Sequence, residues 1–122
     1  MNESPEVRLG RSISLAEYHQ LQAEQMTEAQ LQAVVIAAAK ARGFLVYHTF
    51  DSRRSAAGYP DLHMVHAARG VSLMRELKTQ KGRVSADQAG WLTALEAAGV
   101  DAGVWRPIDW FTGRINTQLD QP

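Results

Sequence analysis

Cysteine is absent from this 122-residue chain. Disulfides and thiolate zinc sites are therefore excluded, and a reducing cytoplasm, bacterial or phage-infected, is the expected setting. No apolar run is long enough to span a bilayer, so no membrane partner is expected. The opening Met1-Asn2-Glu3-Ser4-Pro5-Glu6 does not read as a signal peptide. P-loop, dinucleotide-binding glycine fingerprint and nucleophile elbow are all missing. There is no internal repeat and no low-complexity segment. What is present, 45% hydrophobic and 21% charged residues, is an ordinary globular balance for one domain with a real core.

A net charge is also lacking, since 13 Lys and Arg balance 13 Asp and Glu. The neutrality hides an uneven distribution. Residues 42–83 hold eight Lys and Arg against three Asp and Glu, a local +5. Residues 1–41 carry three against five and residues 84–122 two against five, or −2 and −3. The middle third is the part suited to a polyanion, although overall neutrality predicts modest, salt-sensitive non-specific affinity.

That basic segment also carries the most informative residues, Gly58-Tyr59-Pro60-Asp61 followed by Glu76-Leu77-Lys78. Val71 to Lys78 reads as a strand between Gly70 and Gly82. Strand side chains alternate, so Glu76 and Lys78 share one face while Val71, Leu73, Arg75 and Leu77 share the other. Asp61 opens a second strand that runs to His66 before the turn Ala67-Ala68-Arg69-Gly70. A short connection favours antiparallel pairing, which lets Asp61 and Glu76 converge. Two hard carboxylates suit Mg²⁺ or Mn²⁺, and the Leu77 carbonyl can supply a further ligand. Such a metal activates water and polarises a phosphodiester. Lys78 adds a positive charge for the water or the developing phosphorane. Pro-Asp as a turn and Glu-x-Lys as a solvated strand face are the plain alternatives for each piece alone.

Residues 1–13 read as loose, with no periodicity. Residues 14–25 form a helix capped by Ser14, whose thin stripe of Leu15, Tyr18 and Leu21 needs a partner in this domain or in a second subunit. Thr27 and Gln30 make a capping box for a helix that runs to Arg42 and stops at Gly43. Glu28 lies on the same face as Leu31 and Val35. It either reaches the metal site or is a first-turn acid favoured by the helix dipole. Phe44 to Thr49 reads as a strand. The following loop, Phe50 to Tyr59, offers Arg53 and Arg54 for phosphate contacts or as solvated charges. The turn Gln80-Lys81-Gly82-Arg83 offers Lys81 and Arg83 in the same way. Ser85 caps a helix running to Ala98, and Gln88 is its capping-box partner, its active-site residue, or both. Val100 to Trp105 is the last strand, with a short helix from Ile108 to Thr112 and a loose polar tail beyond Gly113. Trp105, Trp110 and Phe111 read as core or interface residues. His63 and His66, three apart on a strand, point to opposite faces and do not form a ligand pair. A helix-turn-helix does not fit, because strands separate the two strong helices. The order α-β-β-β-α-β defines an α/β protein.

These residues resemble the PD-(D/E)xK nuclease superfamily, and more closely its small stand-alone VRR-NUC domains. The likeness rests on Thr27-Glu28, Gly43, Gly58-Tyr59-Pro60-Asp61, Glu76-Leu77-Lys78-Thr79, Lys81-Gly82-Arg83-Val84-Ser85, Gln88 and Ala98-Gly99-Val100. It spans residues 26 to about 110 and is most specific from Gly58 to Gln88. Where the family has Val-Arg-Arg, this chain has Val104-Trp105-Arg106, a departure that concerns that arginine and leaves the metal site intact. The resemblance implies a restriction-endonuclease-like mixed β-sheet flanked by α-helices. It also implies a metal-dependent DNA nuclease similar to Holliday-junction resolvases, with a tendency to form homodimers. In that reading residues 1–25 are an N-terminal extension, 26–113 the nuclease domain and 114–122 a tail. Asp61, Glu76, Glu28 and the Leu77 carbonyl are the candidate metal ligands. Asp61, Glu76, Lys78, Glu28 and Gln88 are the candidate catalytic residues. Arg53, Arg54, Lys81 and Arg83 are the candidate DNA contacts. The rival expectations are a non-catalytic nucleic-acid-binding module and a sequence-specific restriction-type nuclease.

Overall fold

The computed structural model describes residues 6–8, 12–49 and 56–121, the first three through their backbone alone. Two short strands, β1 (Glu6–Arg8) and β2 (Ser12–Ser14), come first, followed by helices α1 (Leu15–Gln25) and α2 (Glu28–Ala41). Strands β3 (Leu45–His48), β4 (Leu62–His66) and β5 (Val71–Leu77) follow, the last two joined by a single 3₁₀ turn. Helix α3 (Ala86–Ala97), strand β6 (Asp101–Trp105) and helices α4 (Pro107–Phe111) and α5 (Arg114–Leu119) complete the chain.

Local chemistry explains the helix starts. Ser14 with Glu17, Thr27 with Gln30 and Ser85 with Gln88 each form a closed capping box. Each satisfies N–H groups that a helix leaves unpaired at its N-terminus. Gly43 ends the α2 turn at φ +88°, a left-handed conformation that costs glycine little.

The main sheet has the order β3-β4-β5-β6. β3-β4 and β4-β5 are antiparallel, whereas β5-β6 is parallel. A parallel neighbour requires a crossover, and α3 supplies it. The result is the mixed, helix-flanked α/β sheet expected from the sequence.

Strand alternation decides where the core sits. Leu62 and Met64 of β4, Leu73 and Leu77 of β5 and Trp105 of β6 are buried against Leu31, Val35 and Ala39 of α2 and Ile115 and Leu119 of α5. Arg75 shares that face, as the alternation predicts, and is buried with the apolar residues. Its guanidinium lies 4.9 Å from the Trp105 ring. It donates to the Met74 and Asp101 carbonyls, the Asp101 carboxylate and Gln118 Oε1. Trp105 Nε1 donates to the same Gln118 oxygen at 2.8 Å. Burial lowers the Arg75 pKa, and the charge and hydrogen bond of Asp101 oppose that shift. At the open edge, β3 exposes Leu45 and Tyr47, 75% and 64% accessible.

Two expectations are corrected. Residues 1–13 are not uniformly loose, since Glu6–Arg8 pairs antiparallel with Ser12–Ser14 and Ile13 is buried. Three-residue strands are too short for alternation to show in the sequence. The polar tail is not loose either. Residues 114–119 form α5, which buries Ile115 and Leu119 completely. Arg42, at the end of α2, also binds Asp120 at 2.6 Å, an ion pair that raises the Arg42 pKa and lowers that of Asp120. Helix α1 docks on α4 of its own chain, with His19 stacked on Phe111 at 6.3 Å. No described helix is long and apolar enough to cross a membrane.

Candidate active site

The site forms where β4 begins and β5 ends. Asp61 stands directly before β4, and its Oδ2 accepts the Leu77 N–H at 2.9 Å. That bond ties the first carboxylate to the strand carrying the second. Glu76 lies on the face opposite Leu77 and is only 3% accessible. Its Oε2 accepts Gln88 Nε2 at 2.9 Å and lies 3.8 Å from Lys78 Nζ. Glu76 Oε1 is buried and has no hydrogen-bond partner among the described residues. The structure thus brings Asp61, Glu76, Lys78, Gln88 and the Leu77 peptide together.

Gln88 fills both roles left open by the sequence. Its Oε1 accepts the Ser85 N–H at 2.9 Å, which closes the α3 capping box. Its Nε2 holds Glu76. One planar amide offers an acceptor and donors on opposite sides, so the two roles do not compete.

The loop before Asp61 is seated on the same helix. Gly58 has φ +84°, and a Cβ there would lie 2.4 Å from the Asp87 carbonyl carbon. Any side chain would clash with the backbone of the first turn of α3. The Tyr59 ring meets Trp91 edge-on at 5.0 Å. Loop and helix are locked together, and Pro60 enters β4 buried.

Electrostatics mark Glu76 as the unusual group. Burial pushes its pKa up to about 8, reinforced by the charge of Asp61 and a shared hydrogen bond with it. Lys78 opposes the shift, and Glu28 adds slightly to it. A buried acid beside another acid with an unpartnered oxygen is a poor resting arrangement unless a proton or a cation supplies the missing charge. Among the described residues, no three His, Cys, Asp or Glu side chains converge on one point. A donor set of two carboxylates completed by main-chain oxygen and water suits Mg²⁺ or Mn²⁺, whereas structural zinc takes four nitrogen or sulfur ligands.

The other predicted residues lie at different distances from this centre. Glu28 is exposed at the start of α2, and its charge still reaches Glu76. Lys81 is 82% accessible and approaches Glu24 of α1 at 3.8 Å. Arg83 is exposed. Arg53 and Arg54 lie outside the described residues. His63 is bonded to Ser72 Oγ at 2.8 Å, the ordinary strand histidine of the sequence reading.

Arg106 escaped the sequence reading. Its guanidinium donates to the carbonyls of Thr79, Gln80 and Gly82, directly behind the basic turn. The partners lie more than 20 residues away, and an arginine before a proline gives no local sign of them. Trp105 sits in the Leu77 register of β6 and points into the core, away from Glu76. The family departure at this position is therefore a packing matter.

A mixed sheet with paired acids and a lysine at the β4-β5 end defines a nuclease-type α/β domain. The VRR-NUC domain family model matches residues 2–107, and the chain belongs to that family. The family is of nuclease type, with DNA as the implied substrate and divalent metals in general use. No curated protein and no solved structure matches the chain.

Proposed function

We propose that this protein is a Mg²⁺- or Mn²⁺-dependent DNA endonuclease that hydrolyses phosphodiester bonds in branched DNA such as Holliday junctions. The observation that carries this reading is the buried, partnerless Glu76 Oε1 beside Asp61 and Lys78. Asp61 and Glu76 hold the metal, with the Leu77 carbonyl and Glu28, directly or through water, completing its surroundings. The ion supplies Lewis-acid stabilisation of phosphate charge and a readily deprotonated water. Gln88 keeps Glu76 Oε2 engaged and so leaves Oε1 for the cation. The Leu77 N–H fixes the rotamer of Asp61. Lys78 directs its ammonium charge at the attacking water and at the charge that builds on the phosphoryl oxygens. Lys81 and Arg83, with Arg53 and Arg54, hold flanking phosphates. A small chain with little surface for reading bases favours recognition by shape. A homodimer places two such centres across one junction.

The test is a cleavage panel of four-way junction, flap, splayed arm, linear duplex and single strand, with Mg²⁺, with Mn²⁺ and with chelator. Metal-dependent cutting that prefers the junction is expected, and Lys78→Ala should cut none of the panel. Cutting in chelator, or undiminished cutting by Lys78→Ala, refutes the mechanism. Binding without nicking under every metal identifies a non-catalytic module instead.

A further inference from the structure

The turn after Lys78 is organised around a single side chain. Arg106 Nη1 lies 2.8 Å from the Thr79 carbonyl oxygen, 3.3 Å from that of Gln80 and 2.8 Å from that of Gly82. Gly82 N–H closes back on the Thr79 carbonyl at 3.3 Å, and Gln80 Oε1 accepts the Ile108 N–H at 3.0 Å. The turn is thus tied to the start of α4 as well. The chain has no cis peptide. In a trans peptide the N–H of one residue points opposite to the carbonyl of the residue before it. Three carbonyls drawn in toward Arg106 therefore turn three amides outward, those of Gln80, Lys81 and Arg83. None of these amides donates to an acceptor among the described residues. The two residues that follow an inward carbonyl and bear positive side chains, Lys81 and Arg83, are both exposed.

Outward main-chain N–H groups flanked by cations form a concavity for an anion. The guanidinium behind the peptides polarises them in the same sense, with positive charge at the carbonyl end and donors on the far side. The geometry points to a phosphodiester clamp in the Gln80–Arg83 turn, made by the N–H groups of Gln80, Lys81 and Arg83, with Arg106 as the positioning residue that aims them. The clamp adjoins Lys78, so it holds a phosphate of the strand whose neighbour is cut. The choice of DNA as source of that phosphate rests on the nuclease reading above.

The experiment follows amide signals of the ¹⁵N-labelled full-length protein in chelator, titrated separately with inorganic phosphate and with a duplex oligonucleotide. Both should move the amide protons of Gln80, Lys81 and Arg83. In Arg106→Gln, shown to be folded by the same spectra, those shifts should disappear and DNA affinity should fall about tenfold, one well-made hydrogen-bond set. The slope of log affinity against log salt should stay unchanged in Arg106→Gln, because no phosphate contact is lost, and should drop by about one in Lys81→Ala. If Arg106→Gln does not fold, Arg106→Lys takes its place, with weaker binding expected because a lysine ammonium does not span three carbonyls. Unmoved amides with both probes, wild-type affinity in the folded Arg106 variant, or a reduced salt slope in that variant would each overturn the proposal. If phosphate moves the three amides while no oligonucleotide binds, the clamp stands and the nuclease reading falls.

Discussion

Glu76 is the residue on which the site is most sensitive. With its pKa pushed up to about 8 by burial and by Asp61, the folded protein binds a proton that the unfolded chain releases near pH 4.5. The folded state therefore holds more protons between those values, and metal-free stability falls as pH rises through that window. The loss should be on the order of 3 kcal/mol from pH 5 to pH 8. Thermal unfolding in chelator checks this. The wild type should lose melting temperature towards pH 8, Mg²⁺ should restore it, and Glu76→Gln should show a nearly flat profile. A flat wild-type profile would contradict the buried-acid account. Lys78→Ala should lower kcat by about 10²–10³-fold, the scale of removing one preorganised charge, with little change in melting temperature. Its half-buried side chain leaves no cavity in the core. At this scale the sequence was legible. Period-two alternation put Glu76 and Lys78 on one face, and a capping-box spacing put Gln88 at the start of α3. Arg75 and Arg106 were not legible as contacts, because their carbonyl and amide partners are brought near by tertiary folding alone.

The elements show which sequence signals suffice. Each of the three long helices begins at a capping box readable from four residues, and each interior strand is bounded by turn residues. Elements of three to six residues carry too little periodicity, so the β1-β2 hairpin and α5 emerged only in the structure. Ile115 and Leu119 sit at the i, i+4 spacing of a helix face, a signal too brief to separate from chance. Both are fully buried. Ile115→Ala or Leu119→Ala should each cost about 2–4 kcal/mol, measurable as a shifted denaturant midpoint. An unchanged midpoint would mean that α5 is not part of the core. Gly58 tests the joint between loop and helix. Gly58→Ala must adopt a positive φ and displace the Asp87 backbone, so it should cost about 1–3 kcal/mol and lower cleavage as well, because the same loop sets Asp61. A loss of stability with full activity would show that the loop and Asp61 move independently.

On the scale of the whole molecule, zero net charge and a locally basic middle third coexist because the acidic residues lie in the chain's two ends. Binding to linear duplex should therefore be weak and should fall steeply between about 50 and 200 mM salt. Anisotropy titrations across that range check it, and salt-insensitive binding would argue for contacts other than phosphate. Dimerisation is checked independently by sedimentation with and without junction DNA. The shared amide of Gln88 has one more consequence. The bond that starts α3 and the bond that holds Glu76 belong to a single carboxamide, so fraying of that helix end and misorientation of the acid are one motion. Warming should then silence the enzyme several degrees before the sheet melts, and deuterium uptake at Asp87 and Gln88 should rise in step with the lost turnover.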